Sequence, residues 1–137
     1  MNFTIKETKG NGYYYFLAYN EKNEIIGKLS IDTKNAEYGR FSELCVGTKI
    51  AKVVLVWTAL SCCGKGVATS LLNRALEVFS EWNLYLNVCP LWRIGENIKY
   101  RYVSGLRDFY SKFGFEKVND VCVPTMFKKA KIIYEKK

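Results

Sequence analysis

A glycine-rich turn between a predicted strand and a predicted helix limits the fold of this chain most strongly. The turn, residues 62–69, follows the apolar β-formers of residues 53–57 and opens an amphipathic helix. Glycines let a backbone turn tightly and approach a ligand closely. The first N–H groups of a helix lack internal partners and lie at the positive end of its dipole. The sequence therefore predicts an anion site suited to phosphate, although a plain tight connection fits the local sequence equally well.

Two common phosphate-binding motifs do not fit this turn. A P-loop needs a longer glycine spacing and a lysine followed by Ser or Thr, whereas Lys65 is followed by Gly66. A dinucleotide-binding turn needs three glycines in a fixed register near the start of a βαβ domain, which this chain does not offer.

Length and composition favour one globular domain spanning residues 1–137, with 49% hydrophobic residues and a single core. No apolar run approaches the ~20 residues of a membrane span, and the N-terminus lacks the pattern of a signal peptide. We therefore expect a cytoplasmic protein that does not associate with membranes.

The cysteines fit a reducing compartment because their number is odd and two are adjacent in sequence. The chain has no histidine and no Cys-x-x-Cys, which argues against a zinc site, so we expect no metal. Most of the cysteines are expected to act as small hydrophobic residues. The five are Cys45, Cys62, Cys63, Cys89 and Cys122.

The net charge of +8 is concentrated in the last third of the chain. Residues 91–137 carry 11 of the 21 basic residues and 5 of the 13 acidic ones. This favours a polyanionic partner, such as nucleic acid, an acidic protein surface or a phosphorylated cofactor. A solvated, lysine-rich surface is the alternative.

Apolar patterning predicts an α+β fold in the order β-β-β-β-β-α-β-α-β-β. Residues 51–58 form the most apolar strand, which is typical of a central strand covered on both faces. Ser104 is expected to cap the second helix and Gly114 to follow its end. The predicted strands are 3–7, 13–19, 25–31, 40–46, 51–58, 84–88, 115–118 and 124–134, and the helices run from 67 to about 82 and from 104 to 112.

A connection over residues 91–102 is long and rich in aromatic and basic residues. Long loops in compact domains often bind ligands. The alternative is that the aromatic side chains fold back onto the sheet. The residues concerned are Trp92, Arg93, Lys99, Tyr100, Arg101 and Tyr102.

Two separated motifs, together with the order of elements, resemble the GNAT superfamily of acetyl-CoA-dependent N-acetyltransferases. The first is Cys63-Gly64-Lys65-Gly66-Val67-Ala68, and the second is Tyr110-Ser111-Lys112-Phe113-Gly114-Phe115. The resemblance covers residues 51–130 well and the N-terminal strands loosely. It implies a mixed, mainly antiparallel central sheet of six to seven strands, flanked by two main helices.

The resemblance also implies a site for acetyl-CoA as co-substrate. The backbone of Cys63, Gly64, Lys65, Gly66, Val67 and Ala68, with the Thr69 hydroxyl, would bind its pyrophosphate. The backbone of Trp57 and Thr58, at the splayed end of the central strand, would align the pantetheine arm, and one of their N–H groups could stabilise an oxyanion. Tyr110 would protonate the leaving thiolate. Core packing is the alternative role for Tyr110.

The chain departs from the family pattern at four places. Cys63 stands where Gln or Arg is usual, and Val103 where Asn is common. No carboxylate lies on the central strand, so Glu43 on the preceding predicted strand is the nearest acidic candidate for a general base. A water relay, or an amine that is already deprotonated, is an equal alternative. The two helices that usually follow the first strand are missing, which leaves the acceptor side open and suits a macromolecular acceptor.

The resemblance implies an N-acetyltransferase that transfers an acetyl group to a primary amine. The acceptor is expected to be a small molecule, or a protein or RNA with an acidic surface. A non-catalytic acyl-CoA-binding regulatory module and a nucleic-acid-binding protein are the alternatives. The sequence is compatible with a monomer or a homodimer.

Overall fold

Seven strands, three α-helices and one short 3₁₀ helix (Leu60–Cys62) occur in the parts of the chain that the computed structural model describes, residues 2–62, 64–88, 103–118 and 125–131. In chain order the strands and α-helices are β1 (Phe3–Gly10), β2 (Tyr13–Asn20), β3 (Ile25–Asp32), α1 (Tyr38–Phe41), β4 (Ile50–Thr58), α2 (Val67–Val78), β5 (Asn83–Asn87), α3 (Val103–Ser111), β6 (Glu116–Val118) and β7 (Thr125–Lys128).

The strands form one mixed sheet in the order β1-β2-β3-β4-β5-β7-β6. β4 lies at its centre, as its continuous apolar sequence predicts. The β4–β5 pair is parallel, and the other neighbouring pairs are antiparallel. Helix α2 links the two parallel strands, which need a crossover connection. The predicted fold class, a mainly antiparallel sheet with two main helices, is confirmed.

Helices α2 and α3 contribute to the main core on one face of the sheet. The apolar residues of α2 recur at helical spacing, so they form one buried stripe. This stripe packs against alternate residues of the central strands, and Tyr110 of α3 joins the same cluster. We call this side of the sheet the helix face. Its buried members include Phe16, Leu29, Val53, Leu71 and Leu72.

The opposite face is covered over β5 and β7 by the segment between β3 and β4. Phe41 packs against Tyr85 and Phe127, with ring centroids 4.6 and 5.5 Å apart. The predicted strand over residues 40–46 is therefore wrong. The N–H groups of Leu44 and Cys45 both donate to the carbonyl of Phe41, so this backbone is satisfied by a local turn instead of a sheet neighbour.

The other elements lie close to their predicted positions, with two corrections. α3 begins at Val103, so Ser104 lies inside the helix and is not its N-cap. The last strand, β7, ends at Lys128, and the described residues 129–131 that follow it are not strand.

α2 ends at Val78, four residues before the predicted end, and the Trp82 N–H then donates to the Phe79 carbonyl in a turn. Gly114 follows α3 with φ +92°, as expected for the residue after a helix. The connection over residues 91–102 and parts of the last predicted strand, 124 and 132–134, lie outside the described residues.

Among the described helices, none combines the length and apolar character that crossing a membrane requires.

Candidate functional site

The two parallel strands at the centre of the sheet separate before β4 ends. Their pairing runs from Ile50–Asn83 to Val53–Leu86. β4 continues beside β3 to Thr58, whereas Asn87 of β5 pairs with β7. Among the described residues, β4 therefore has a neighbour only on its β3 side over residues 54–58. The opening between β4 and β5, which we call the wedge, confirms the predicted splay of the central strand.

A β-bulge marks the point where the wedge begins. Ser30 pairs with Leu55 and Ile31 with Val53, so Val54 is an extra residue on β4. A bulge bends its strand and increases the local twist. The bulge therefore accounts for the divergence of β4 from β5 after Val53.

The glycine turn connects the end of β4 to α2. Gly64 and Gly66 have φ values of +77° and +81°, a left-handed conformation that favours glycine. Among the described residues other than the chain neighbours, no atom would lie within 4 Å of a Cβ at either position, so space is open there. Gly66 caps α2, and no side-chain hydrogen bond caps the helix in the described structure. The first N–H groups of α2 are thus available to an anion.

The first turn of α2 lies directly against β3. A Cβ built on Gly27 would be 2.5 Å from Val67 Cγ1, closer than real contacts allow, and 3.0 Å from Leu71 Cδ1, which is a tight contact. Gly27 also pairs with Thr58, the last residue of β4. The end of β4 and the start of α2 are therefore held together at one glycine.

The residues predicted to bind the cofactor lie along this strand, turn and helix. Trp57 is half-buried and Thr58 is buried at the end of β4. The three residues from Gly64 to Gly66 are exposed. Val67 is buried against β3, Ala68 is half-buried, and Thr69 is exposed on the first turn of α2. Their contacts with a ligand remain predictions.

Tyr110 lies in the main core, with 9% of its surface exposed. Its ring makes edge contacts with Phe109 and Phe115 at centroid distances of 5.4 and 6.1 Å. Val67 and Cys62 belong to the same cluster, so Tyr110 shares a core with the glycine turn. This packing explains the position of the ring, and proton donation by its hydroxyl remains a prediction.

The two cysteines in the described regions are packed among apolar groups. Cys62 is buried in the main core, and Cys45 is half-buried beside Phe41. Burial raises the pKa of the Cys45 thiol. Cys63, Cys89 and Cys122 lie outside the described residues, as do the aromatic and basic side chains of residues 91–102.

Glu43 does not lie on a strand, because the strand predicted over residues 40–46 is absent. The residue is exposed and lines a cleft of about 870 Å³ between residues 39–44 and the β6–β7 pair. Its candidacy as a base depended on a strand beside β4, so the structure removes that premise.

Sequence reasoning missed two residues that shape the site, Gly27 and Val54. Gly27 carried a usable signal, since an isolated glycine inside a strand often marks close approach of another element. Val54 carried no sequence signal of a bulge, because it lies inside an uninterrupted apolar run.

Comparisons with known proteins give structural matches only. A scan against protein-family models finds no match, and a search of curated proteins finds no relative. NAA60 of Arabidopsis thaliana, in complex with a bisubstrate analogue, matches with a TM-score of 0.63 and 14% identity, over 88% of this chain and 77% of that one.

Two further structural neighbours are acetyltransferases by name. An acetyltransferase of the GNAT family from Staphylococcus aureus matches with a TM-score of 0.57 and 14% identity, over 85% of this chain and 67% of that one. The PaiA N-acetyltransferase of Thermoplasma acidophilum, in complex with coenzyme A, matches with a TM-score of 0.55 and 15% identity. The match covers 86% of this chain and 61% of that one. With its seven-stranded mixed sheet, the chain has the fold of the GNAT acetyltransferases.

Proposed function

We propose that this chain is an N-acetyltransferase that transfers the acetyl group of acetyl-CoA to a primary amine. One observation carries the proposal: the wedge between β4 and β5 leads directly to a helix N-terminus preceded by two left-handed glycines. A strand edge suits an extended ligand with amide groups, and a helix N-terminus suits a pyrophosphate. Acetyl-CoA has both groups on one flexible arm.

The residues of the turn fit a phosphate ligand. The open space around Gly64 and Gly66 gives room for phosphate oxygens to approach the backbone. The N–H groups from Gly64 to Thr69 would hold the pyrophosphate, with Cys63 contributing through its backbone alone. Exposed Lys65 adds positive charge beside it. Residues 54–58 would align the pantetheine arm.

Acetyl-CoA supplies an activated thioester, and the protein residues would act on the charges that develop. A backbone N–H of Trp57 or Thr58 would stabilise negative charge on the carbonyl oxygen. As the C–N bond forms and the C–S bond breaks, the amine loses a proton and the sulfur gains one. Tyr110 would donate the proton to sulfur as a general acid.

The structural neighbours support this reaction class. PaiA was solved with coenzyme A and NAA60 with a bisubstrate analogue. This chain spans 61 and 77% of those two proteins, at 15 and 14% identity. The acceptor amine is therefore left as a small molecule, or a protein or RNA with an acidic surface. The cytoplasm is the proposed location.

A thermal shift combined with a thiol-release assay tests the proposal. Acetyl-CoA should raise the melting temperature by mass action, and amine acceptors should accelerate release of free CoA thiol. Binding without release under any amine would instead favour a non-catalytic acyl-CoA-binding module. The absence of any thermal shift at saturating acetyl-CoA would contradict both.

A further inference from the structure

The sheet has a second surface that the candidate site uses only at one end, through the backbone of Trp57. Strand side chains alternate between faces, and Tyr14, Phe16 and Ala18 of β2 pack on the helix face. Tyr13, Tyr15 and Tyr19 therefore lie on the opposite face. A direct contact also places Tyr14 on the helix face, without relying on alternation. Its ring packs edge-on against Phe79, with ring centroids 4.9 Å apart.

Lysine side chains from the neighbouring strands lie on the same surface. Lys6 of β1 lies 5.1 Å from the ring centroid of Tyr19, and Lys28 of β3 lies 5.2 Å from that of Tyr15. Lys28 pairs with Trp57 at the end of β4, and Val56 packs on the helix face, so the indole extends this surface. We call Lys6, Tyr13, Tyr15, Tyr19, Lys28 and Trp57 the open face.

The described helices leave this surface uncovered over β1–β3. α2 and α3 belong to the core on the helix face, and α1 packs over Tyr85 and Phe127. Lys6 is exposed, and the three tyrosines and Lys28 are half-buried. The rings of Tyr13 and Tyr15 are nearly parallel, with centroids 6.1 Å apart and planes inclined by 16°.

The charge of the open face is positive. The acidic residues of β1–β4 are Glu7 and Asp32. Glu7 points to the helix face, where it pairs with Arg74 of α2 at 2.9 Å. Asp32 lies beside Tyr13 and adds one negative charge at that end of the face, where its carboxylate accepts the N–H groups of Lys34 and Asn35. Neither carboxylate neutralises Lys6 or Lys28.

We propose that the open face binds single-stranded nucleic acid. Aromatic rings with interleaved cations form the surface that unpaired strands require: bases stack on the rings, and phosphates meet the lysines. Tyr13 and Tyr19 are six residues apart on one strand, which corresponds to about 20 Å, long enough for several nucleotides. Binding here does not require acetyl-CoA.

Fluorescence anisotropy with a labelled oligouridylate of about ten nucleotides tests this surface, in the absence of acetyl-CoA. Lys6→Ala should weaken binding and reduce the slope of log affinity against log salt by about 0.7 for each phosphate that is no longer neutralised. Lys9→Ala is the matched control. It removes the same charge from the same strand, but Lys9 lies over Tyr14 on the helix face, 5.7 Å from the ring centroid.

A second pair of variants tests stacking. Tyr19→Leu should weaken binding about fivefold or more, whereas Tyr19→Phe keeps the ring and should bind as the unmodified chain does. Melting curves of all four variants confirm that they fold. Three results would overturn the proposal: no binding at low salt, equal losses for Lys6→Ala and Lys9→Ala, or equally strong competition by a poly-glutamate peptide, which would indicate an acidic protein partner.

Discussion

Gly27 of β3 and Val67 of α2 lie so close that a single added methyl group cannot fit between them. The Cβ of an alanine at position 27 would be 2.5 Å from Val67 Cγ1. Val67 is the first residue of α2 and is 1% exposed, so it has little room to move. The position of the α2 N-terminus, and with it the glycine turn, depends on this contact.

Gly27→Ala should destabilise the fold by about 1–3 kcal/mol, as overpacking of a core does, and should also weaken acetyl-CoA binding. Urea unfolding and calorimetric titration measure the two effects. Gly10→Ala is the control, because a Cβ at Gly10 meets nothing within 4 Å. Adding Val67→Ala should partly relieve the strain, so strictly additive destabilisation in the double variant would argue against this contact.

Gly66→Ala should weaken acetyl-CoA binding and cost about 1–2 kcal/mol of stability, because alanine is strained at φ +81°. Gly66→Asn should lose less binding affinity and less stability than Gly66→Ala, since asparagine tolerates this conformation better. Gly39→Ala is the control for loss of a glycine. Gly39 has no positive φ, and a Cβ there meets no described atom within 4 Å. Equal binding by Gly66→Ala and the unmodified chain would remove the turn from the site.

Tyr110→Phe should lower the rate of acetyl transfer by about 100-fold or more while acetyl-CoA binding is retained, if the hydroxyl is the general acid. The ring and its contacts with Phe109 and Phe115 are kept. Tyr14→Phe, which also removes a hydroxyl beside the main core, is the control. An unchanged rate in Tyr110→Phe would leave the residue with a packing role only.

Asn83→Ala should destabilise the protein by about 3 kcal/mol or more, because several buried hydrogen bonds disappear together. The fully buried amide accepts the N–H groups of Val46 and Ala130 and donates to the carbonyls of Val46 and Lys49, at 2.8–3.1 Å. Denaturant unfolding measures the loss. Asn73→Ala on the exposed side of α2 should be nearly neutral; a similar effect at both positions would contradict this assignment.

The stability contributed by Asp32 should disappear in acid. Burial alone would raise the pKa of this carboxyl, but hydrogen bonds from Asn35, Lys34 and Tyr13 outweigh it and hold the pKa below its usual 3.8. The contribution is therefore present above pH 3.8 and is lost as pH falls through the folded-state pKa. Unfolding midpoints should fall more steeply below this pH than those of Asp32→Asn; parallel curves would refute the assignment.

Local patterns predicted the elements that pack on the helix face. The spacing of apolar residues in α2 and the uninterrupted apolar run of β4 each fix one element with little ambiguity. The strand predicted over residues 40–46 was wrong because Phe41 is buried within a turn. In the sequence, a buried aromatic residue in a turn looks the same as one on the inner face of a strand. In β2 nearly every side chain is aromatic or apolar, so only the packing of Tyr14 on Phe79 shows which tyrosines face outward.

The sequence predicted the parts of the site, but not the bulge that separates β4 from β5. The glycines at 64 and 66 indicate the turn, since the left-handed conformations that the turn needs favour glycine. The wedge was expected from a family resemblance, whereas its origin in the Val54 bulge depends on the pairing of β3 with β4. Pairing between strands is a property of the sheet, so no local pattern in β4 could reveal it.

Mapping of amide chemical shifts by NMR during titration with acetyl-CoA tests the central claim most directly, since the chain of 15.8 kDa is within reach of the method. The largest shifts should occur in residues 54–58 and 64–69, with saturation at one equivalent. No shifts at saturating acetyl-CoA, or shifts confined to the cleft between residues 39–44 and the β6–β7 pair, would contradict the account.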